Sequence, residues 1–267
     1  MKQFLYIALW FLLLALTGTM FAFVDNSKSE LRCAGFVISI DHSDGNFFVM
    51  DEDVKQALNR FGYLSDSMFL SVVNTKQLEY VLNSHPAVKS ADVYTTIDGK
   101  VRIEICQRKP VLRVFTKSGE SYYIDENGWL MPLSPKYTAR VPVACGNIEE
   151  GYVLMNTVNM AVPGEITLKD SLLCKSVLDD LYRLVTHIGK DEFWRAQITQ
   201  IYVNNEQEIE LVPRVGNHTI LLGDVCDLDE KFSKLMIFYK KALPVTGGWN
   251  TYSLINLKYK NQVVCRK

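Results

Sequence analysis

Residues 78–114 read LEYVLNSHPAVKSADVYTTIDGKVRIEICQRKPVLRV, and the patterns within them decide the fold of the first half of the chain. Leu78, Val81 and Leu82 recur at helical spacing behind Asn74, a capping residue, with Gln77 three positions on as in a capping box. Pro86 stops that helix. Val93, Thr95 and Ile97 then alternate up to Asp98-Gly99, and Val101, Ile103 and Ile105 alternate away from it. Period-two alternation marks half-buried strands, and Asp-Gly between two of them predicts a type I′ hairpin turn.

Working upstream, FVISI at residues 36–40 reads as a strand. Val54, Ala57, Leu58 and Phe61 repeat at helical spacing before Gly62. The order is strand, helix, helix, strand, strand, which makes a compact α+β unit with its helices on one face of a small sheet. Further back, Phe4 to Val24 is a run of 21 residues without a charge. At about 1.5 Å per residue such a run spans a hydrocarbon core of roughly 30 Å. Lys2 before it predicts a cytoplasmic N-terminus. The run exceeds the apolar core of a signal peptide and no A-x-A site closes it, so a retained anchor is expected in place of a cleaved leader.

Downstream, Gln107-Arg108-Lys109-Pro110 reads as a junction, after which the texture changes to many short strands. Strands are predicted over 112–115, 122–124, 141–144, 197–203, 208–212 and 219–222, with turns at Ser118-Gly119 and Asn127-Gly128. A broad apolar face predicts a helix over 169–188, and a second over 228–243 is expected to be capped by Asp227 and stopped by Pro244. Residues 252–258 and 262–265 are read as a closing pair of strands.

Composition narrows the function. The chain has 267 residues, 48% hydrophobic and 22% charged, with a net charge of −1. It can bury a real core, and it has no basic excess for nucleic acid. Six cysteines stand singly, at 33, 106, 145, 174, 226 and 265, without a C-x-x-C pair. Six permit fifteen full disulfide pairings, and buried free thiols are an equal reading. The four histidines are isolated; His85 sits at a helix end, His187 in a last helical turn, and His42 and His218 in stretches expected to be solvated. The acidic runs at 51–53 and 227–230 stand where helices begin and are expected to favour the helix dipole over a metal ion. Tyr122, Tyr123 and Trp129 are expected in a core ahead of a sugar site. No nucleophile elbow, zinc motif or phosphate loop is present, so no catalytic residue, cofactor, metal or small-molecule substrate is assigned.

Several stretches together resemble the FtsQ/DivIB family of bacterial cell-division proteins, in the form found in Bacteroidetes. They are residues 78–114, YYIDENGWLMPLS at 122–134 with VPVACG at 141–146, EIELVPRVGNHTILLGD at 208–224, and INLKYKNQVVCRK at 255–267. The resemblance implies a cytoplasmic tip (1–3), a single transmembrane helix (4–24), a stalk (25–32) and a small POTRA domain (33–108). A larger mixed α/β domain (111–267) follows, built on an antiparallel-rich sheet with two helices. It also implies a non-enzymatic, single-pass protein of the inner membrane, with its body in the periplasm at the division septum. The implied partners are FtsB/DivIC-like and FtsL-like proteins and, through them, FtsW and its transpeptidase partner. Family partners add a strand to the edge of the second domain, which carries over to Lys258, Tyr259, Lys260, Asn261, Gln262, Val263, Val264 and Cys265. A terminal strand leaves one row of backbone groups open to such pairing. The alternative is a POTRA-type periplasmic adaptor or chaperone for outer-membrane protein assembly or secretion, since fold alone does not separate the two.

Overall fold

The computed structural model describes residues 10, 12–17, 19, 32–63, 68–152 and 176–267. They fall into two compact units, divided between Gln107 and Arg108. Most of Phe4–Val24 lies outside the described residues, and among the described ones no helix is long and apolar enough to cross a membrane.

The first unit contains β1 (Phe36–Asp41), α1 (Asp51–Arg60), α2 (Thr75–Asn83), β2 (Val88–Thr95) and β3 (Val101–Gln107). β3 is the central strand, parallel to β1 and antiparallel to β2. Its Val101, Ile103 and Ile105 are buried while Arg102 and Glu104 face out, so the alternation seen in the sequence is the sidedness of the sheet. Val54 and Leu58 of α1 and Leu78 and Leu82 of α2 are buried in the same unit. Asn74 Oδ1 accepts the Gln77 N–H at 3.0 Å and starts α2 as its position suggests. The buried Gln107 closes the unit: its Oε1 accepts the Val49 N–H at 2.8 Å and its Nε2 donates to the Asp41 carbonyl at 3.0 Å.

The hairpin between β2 and β3 differs from the expected two-residue turn. Gly99 has φ +78 but Asp98 does not enter the positive region, so the type I′ geometry is absent. Thr96 N–H bonds the Lys100 carbonyl and Gly99 N–H bonds the Thr96 carbonyl, which closes a three-residue loop with the left-handed position on glycine. Ile97, read as the last residue of a strand, therefore stands at the tip and is wholly exposed.

The second unit runs β4 (Pro110–Phe115), β5 (Ser121–Asp125), β6 (Leu130–Met131), β7 (Val143–Gly146), α3 (Val177–Gly189), α4 (Glu192–Gln197), β8 (Ile198–Val203), β9 (Ile209–Pro213), β10 (Thr219–Gly223), α5 (Leu228–Ile237), α6 (Leu243–Thr246), β11 (Leu254–Asn256) and β12 (Val264–Arg266). One mixed sheet takes the order β12-β11-β10-β9-β8-β7-β4-β5-β6. Apolar residues of α3 (Leu181, Leu184, Ile188) and α5 (Phe232, Leu235) share one core with Leu112, Tyr122, Ile201, Leu211 and Ile255 of the sheet. Each such fully buried side chain contributes about 1.5–3 kcal/mol relative to exposure.

The helices depart from expectation in several places. α3 begins at Val177, where the Ser176 Oγ accepts the Leu178 N–H at 3.1 Å. Ser176 itself holds an extended backbone, so it interrupts the helix expected over 169–188. Residues 169–175 of that expectation, with Leu172 and Leu173, lie outside the described residues. α4 is an additional helix, so the unit has more than the two expected; Asp191 caps it through bonds to the Phe193 and Trp194 N–H groups. Asp227 makes no side-chain cap on α5 and instead takes a left-handed φ of 52. Pro244 does not end the last helix either. The chain widens through a π-helical turn at Phe238–Ala242 just before the proline, Pro244 falls in the first turn of α6, and α6 stops only at Gly247 with φ 109.

Two polar residues are buried where the sequence carried no sign of it. Lys231 on α5 donates to the Leu222 and Asp224 carbonyls at 3.1 and 2.8 Å and pairs with the Asp224 carboxylate at 2.7 Å. His218, expected in solvent, is 2% exposed among Tyr239 and Trp249. The Tyr239 O–H lies 2.8 Å from Nε2, and Nδ1 lies 3.3 Å from the Trp249 carbonyl, an arrangement the neutral ring satisfies by accepting at Nε2 and donating at Nδ1. Burial lowers the His218 pKa below the ordinary imidazole value. The unfolded chain then binds more protons than the native one below about pH 6.5, so stability is lost as pH falls through that range toward the lowered native value. Thermal unfolding of wild type is expected to show a lower Tm at about pH 5.5 than at about pH 7.5, and His218→Gln should remove part of that difference. An identical pH dependence in the variant would contradict the assignment.

Candidate functional site

The candidate edge is built from β10, β11 and β12, and its exposed side follows from hydrogen-bond alternation. The Ser253 carbonyl accepts the Thr219 N–H and the Leu257 N–H donates to the Leu221 carbonyl. The Ser253 carbonyl and the backbone groups of Ile255 and Leu257 are thus turned to β10, which leaves those of Leu254 and Asn256 for β12. Leu254 and Asn256 oppose Arg266 and Val264. Arg266 and Val264 therefore turn their backbones inward, and Cys265 turns its N–H and C=O away from the sheet. Among the described residues no strand lies beyond β12. The opposite edge, β6, has only two residues, and both are buried.

Side chains reinforce this orientation. Ile255 and Leu257 are fully buried beneath the edge, and Val263 and Cys265 pack against the same core. Burial raises the Cys265 thiol above its ordinary pKa, so it is held as a neutral, apolar group. Val264 is 44% exposed on the other face, with Arg266 exposed beside it.

Of the eight residues assigned to the edge, Val264 and Cys265 lie on β12, and Arg266, not among them, completes it. Lys258, Tyr259, Lys260 and Asn261 form the turn between β11 and β12, and Gln262 and Val263 lead out of that turn before the strand begins. The physical reason is local. Asn256 Oδ1 accepts the Lys258 N–H at 2.9 Å, and Asn261 takes a left-handed φ of 61, so the chain reverses where a continued strand was expected. The turn is pinned from both sides. Lys234 of α5 donates to the Tyr259 carbonyl at 2.8 Å, and Lys258 pairs with Glu208, a bond that raises the Lys258 pKa. At the other end the Ser253 N–H donates to the Arg266 carbonyl at 2.8 Å. Arg266 and the turn pins could not be found from period-two alternation, since β12 is too short to display it.

Among the described residues no group of three or more His, Cys, Asp or Glu side chains is placed to hold a metal ion. Cys33, Cys106, Cys145, Cys226 and Cys265 are free thiols, and Cys174 lies outside the described residues. Tyr122 and Tyr123 are buried, with the Tyr122 O–H donating to the Glu150 carbonyl at 2.7 Å, so they line a core and not an open pocket. What the edge offers is backbone: a short, firmly held strand that meets no further strand on its outer side among the described residues.

Two family models match the chain. One, described as FtsQ/DivIB, C-terminal related, covers residues 109–266, and a POTRA-like domain model covers residues 31–106. The chain is 26% identical over 188 residues to a cell division protein FtsQ of Rhodothermus marinus, a match that covers 68% of this chain and 62% of that relative's length. A match across more than half of the chain, over the unit that carries the open edge, shows that this protein belongs to the FtsQ/DivIB family.

Proposed function

We propose that this protein is a non-catalytic scaffold of the bacterial cell-division machinery, acting by strand pairing at β12. In this reading Phe4–Val24 anchors it in the cytoplasmic membrane, residues 1–3 face the cytoplasm, and residues 25–32 are a stalk. Residues 33–108 and 111–267 stand in the periplasm at the division septum. The uncharged run of 21 residues supports the anchor. The partners are FtsB/DivIC-like and FtsL-like segments, through which the scaffold is linked to FtsW and its transpeptidase partner.

The observation that carries this reading is the outward-facing backbone of Cys265 on the last strand of the second sheet. An incoming extended segment would gain main-chain bonds there, while Val264 and the basic rim of Lys260, Arg266 and Lys267 would favour a segment with acidic flanks. Proline at 265 removes one outward donor without touching the bonds between β11 and β12, which run through residues 264 and 266. Cys265→Pro is expected to weaken binding of a DivIC-like periplasmic segment about tenfold, the loss of roughly one backbone hydrogen bond. Titration of the purified chain with that segment measures it, alongside thermal unfolding to verify that the variant is folded. Unchanged affinity in a folded variant would sink the edge assignment.

A further inference from the structure

The two ends of the first unit are chemically different, and the difference is set by strand direction. β1 starts at one end; α1 returns to it, α2 leaves from it, and the β2–β3 loop lies there. The incoming chain is tied to this end by the Cys33 N–H on the Met68 carbonyl, the Ala34 N–H on the Gly99 carbonyl, both at 2.8 Å, and a bridge between Arg32 and Phe69. Three apolar side chains are exposed around that attachment: Ile97 at 103%, Val72 at 58% and Phe69 at 45%. Arg32, Arg60 and Lys100 are exposed on the same end, and Asp98 is paired to Lys100 at 3.0 Å.

An isoleucine wholly in water at the tip of a well-formed loop gains nothing for the fold. Gly99 supplies the only positive φ in that loop, so a polar residue would serve the turn equally at position 97. The chain length before this end says what could cover it. Eight residue steps separate Val24 from Arg32, a reach of at most roughly 28 Å when fully extended. The seven residues of β3 are themselves about 23 Å long. An end tied to so short a leash is held near whatever surface holds Phe4–Val24, and Ile97 is two residues from the tie.

We propose that Ile97, with Phe69 and Val72, seats this end of the first unit in the interface of the lipid bilayer. The apolar tip enters the boundary between headgroups and acyl chains, and Arg32, Arg60 and Lys100 lie among anionic headgroups. The seat rests on the reading of Phe4–Val24 as an anchor. It adds that the first unit is oriented on the membrane, not merely tethered beside it.

The test uses the full-length chain in vesicles of phosphatidylethanolamine and phosphatidylglycerol, with a photoreactive benzoyl-phenylalanine placed at position 97 or, as a comparison, at position 47. Phe47 is similarly apolar and 42% exposed, in the connection after β1 at the opposite end of the unit. The expected result is about tenfold more lipid adduct from position 97 than from position 47, since interfacial burial of a few ångströms excludes the far end. Flotation of the same vesicles reads the anchor separately. A chain that fails to float overturns the anchor and the seat with it. A chain that floats but gives equal lipid adducts at the two positions, or at position 97 adducts only to a second copy of itself, overturns the seat and leaves the anchor standing.

Discussion

Replacing Asp125 by alanine is expected to destabilise the second unit by about 3–5 kcal/mol, the usual cost of breaking a buried charge pair from one side. The Asp125 side chain is fully buried, and its Oδ2 meets Arg108 Nη1 at 2.9 Å. Its Oδ1 accepts the Asn127 N–H at 2.9 Å and the Trp129 N–H at 2.8 Å. One carboxylate thus holds the β5–β6 turn and pairs the first residue of the unit, whose guanidinium also lies 5.8 Å from the Trp129 ring centre. Alanine would take this acceptor away from two partly buried N–H groups and from a largely buried cation. For a unit of this size the loss corresponds to a fall in Tm of roughly 6–20 °C. Asp125→Asn, which keeps one acceptor oxygen, should fall between wild type and alanine. A loss below about 1 kcal/mol in urea unfolding would mean that the network is not what holds this turn.

Gly146→Ala is the second large effect, at about 3 kcal/mol or more. Gly146 sits at the end of β7 with φ +108, a conformation that L side chains rarely adopt. A Cβ there would run into the Val203 carbonyl oxygen, and would stand 2.9 Å from the Val203 nitrogen and 3.0 Å from the Tyr202 ring. That same carbonyl accepts the Asn147 N–H at 2.8 Å, so it cannot move aside without losing a bond. Backbone strain and overpacking act together, at one junction of parallel strands in the middle of the sheet. Denaturant unfolding would measure the change, and a variant within about 1 kcal/mol of wild type would show that β7 and β8 separate more easily than their pairing suggests.

Much of the first unit is legible in the sequence because its signals are local. The alternation of Val101, Ile103 and Ile105 is the buried face of β3, and Asn74 caps the helix that it precedes. The turn before β3 departs from expectation because Asp-Gly is compatible with more than one loop, and the chain takes a wider one held by Thr96 and Lys100. In the second unit, His218 and Lys231 look like surface residues in the sequence. Each is buried because another segment supplies its partner: Trp249 and Tyr239 for the histidine, Leu222 and Asp224 for the lysine. The expected edge residues fall largely on the turn for a comparable reason, since Asn256 and Asn261 bend the chain by bonds and angles that alternation does not register.

Local chemistry determines many of the strands and helices, though not α4 or the turn between β11 and β12, and it shows that the texture of the chain changes after Gln107 and that an uncharged run long enough to span a bilayer precedes the body. Those features depend on neighbours a few residues apart, and period, capping and turn residues report them directly. Which strand lies at the edge is another matter. β12 is outermost because β11 runs parallel to β10 after a helical crossover, and because the pairing uses the backbone of residues 264 and 266 while Cys265 faces out. Strand order and register arise from contacts between segments far apart in the chain, so only the tertiary structure decides them.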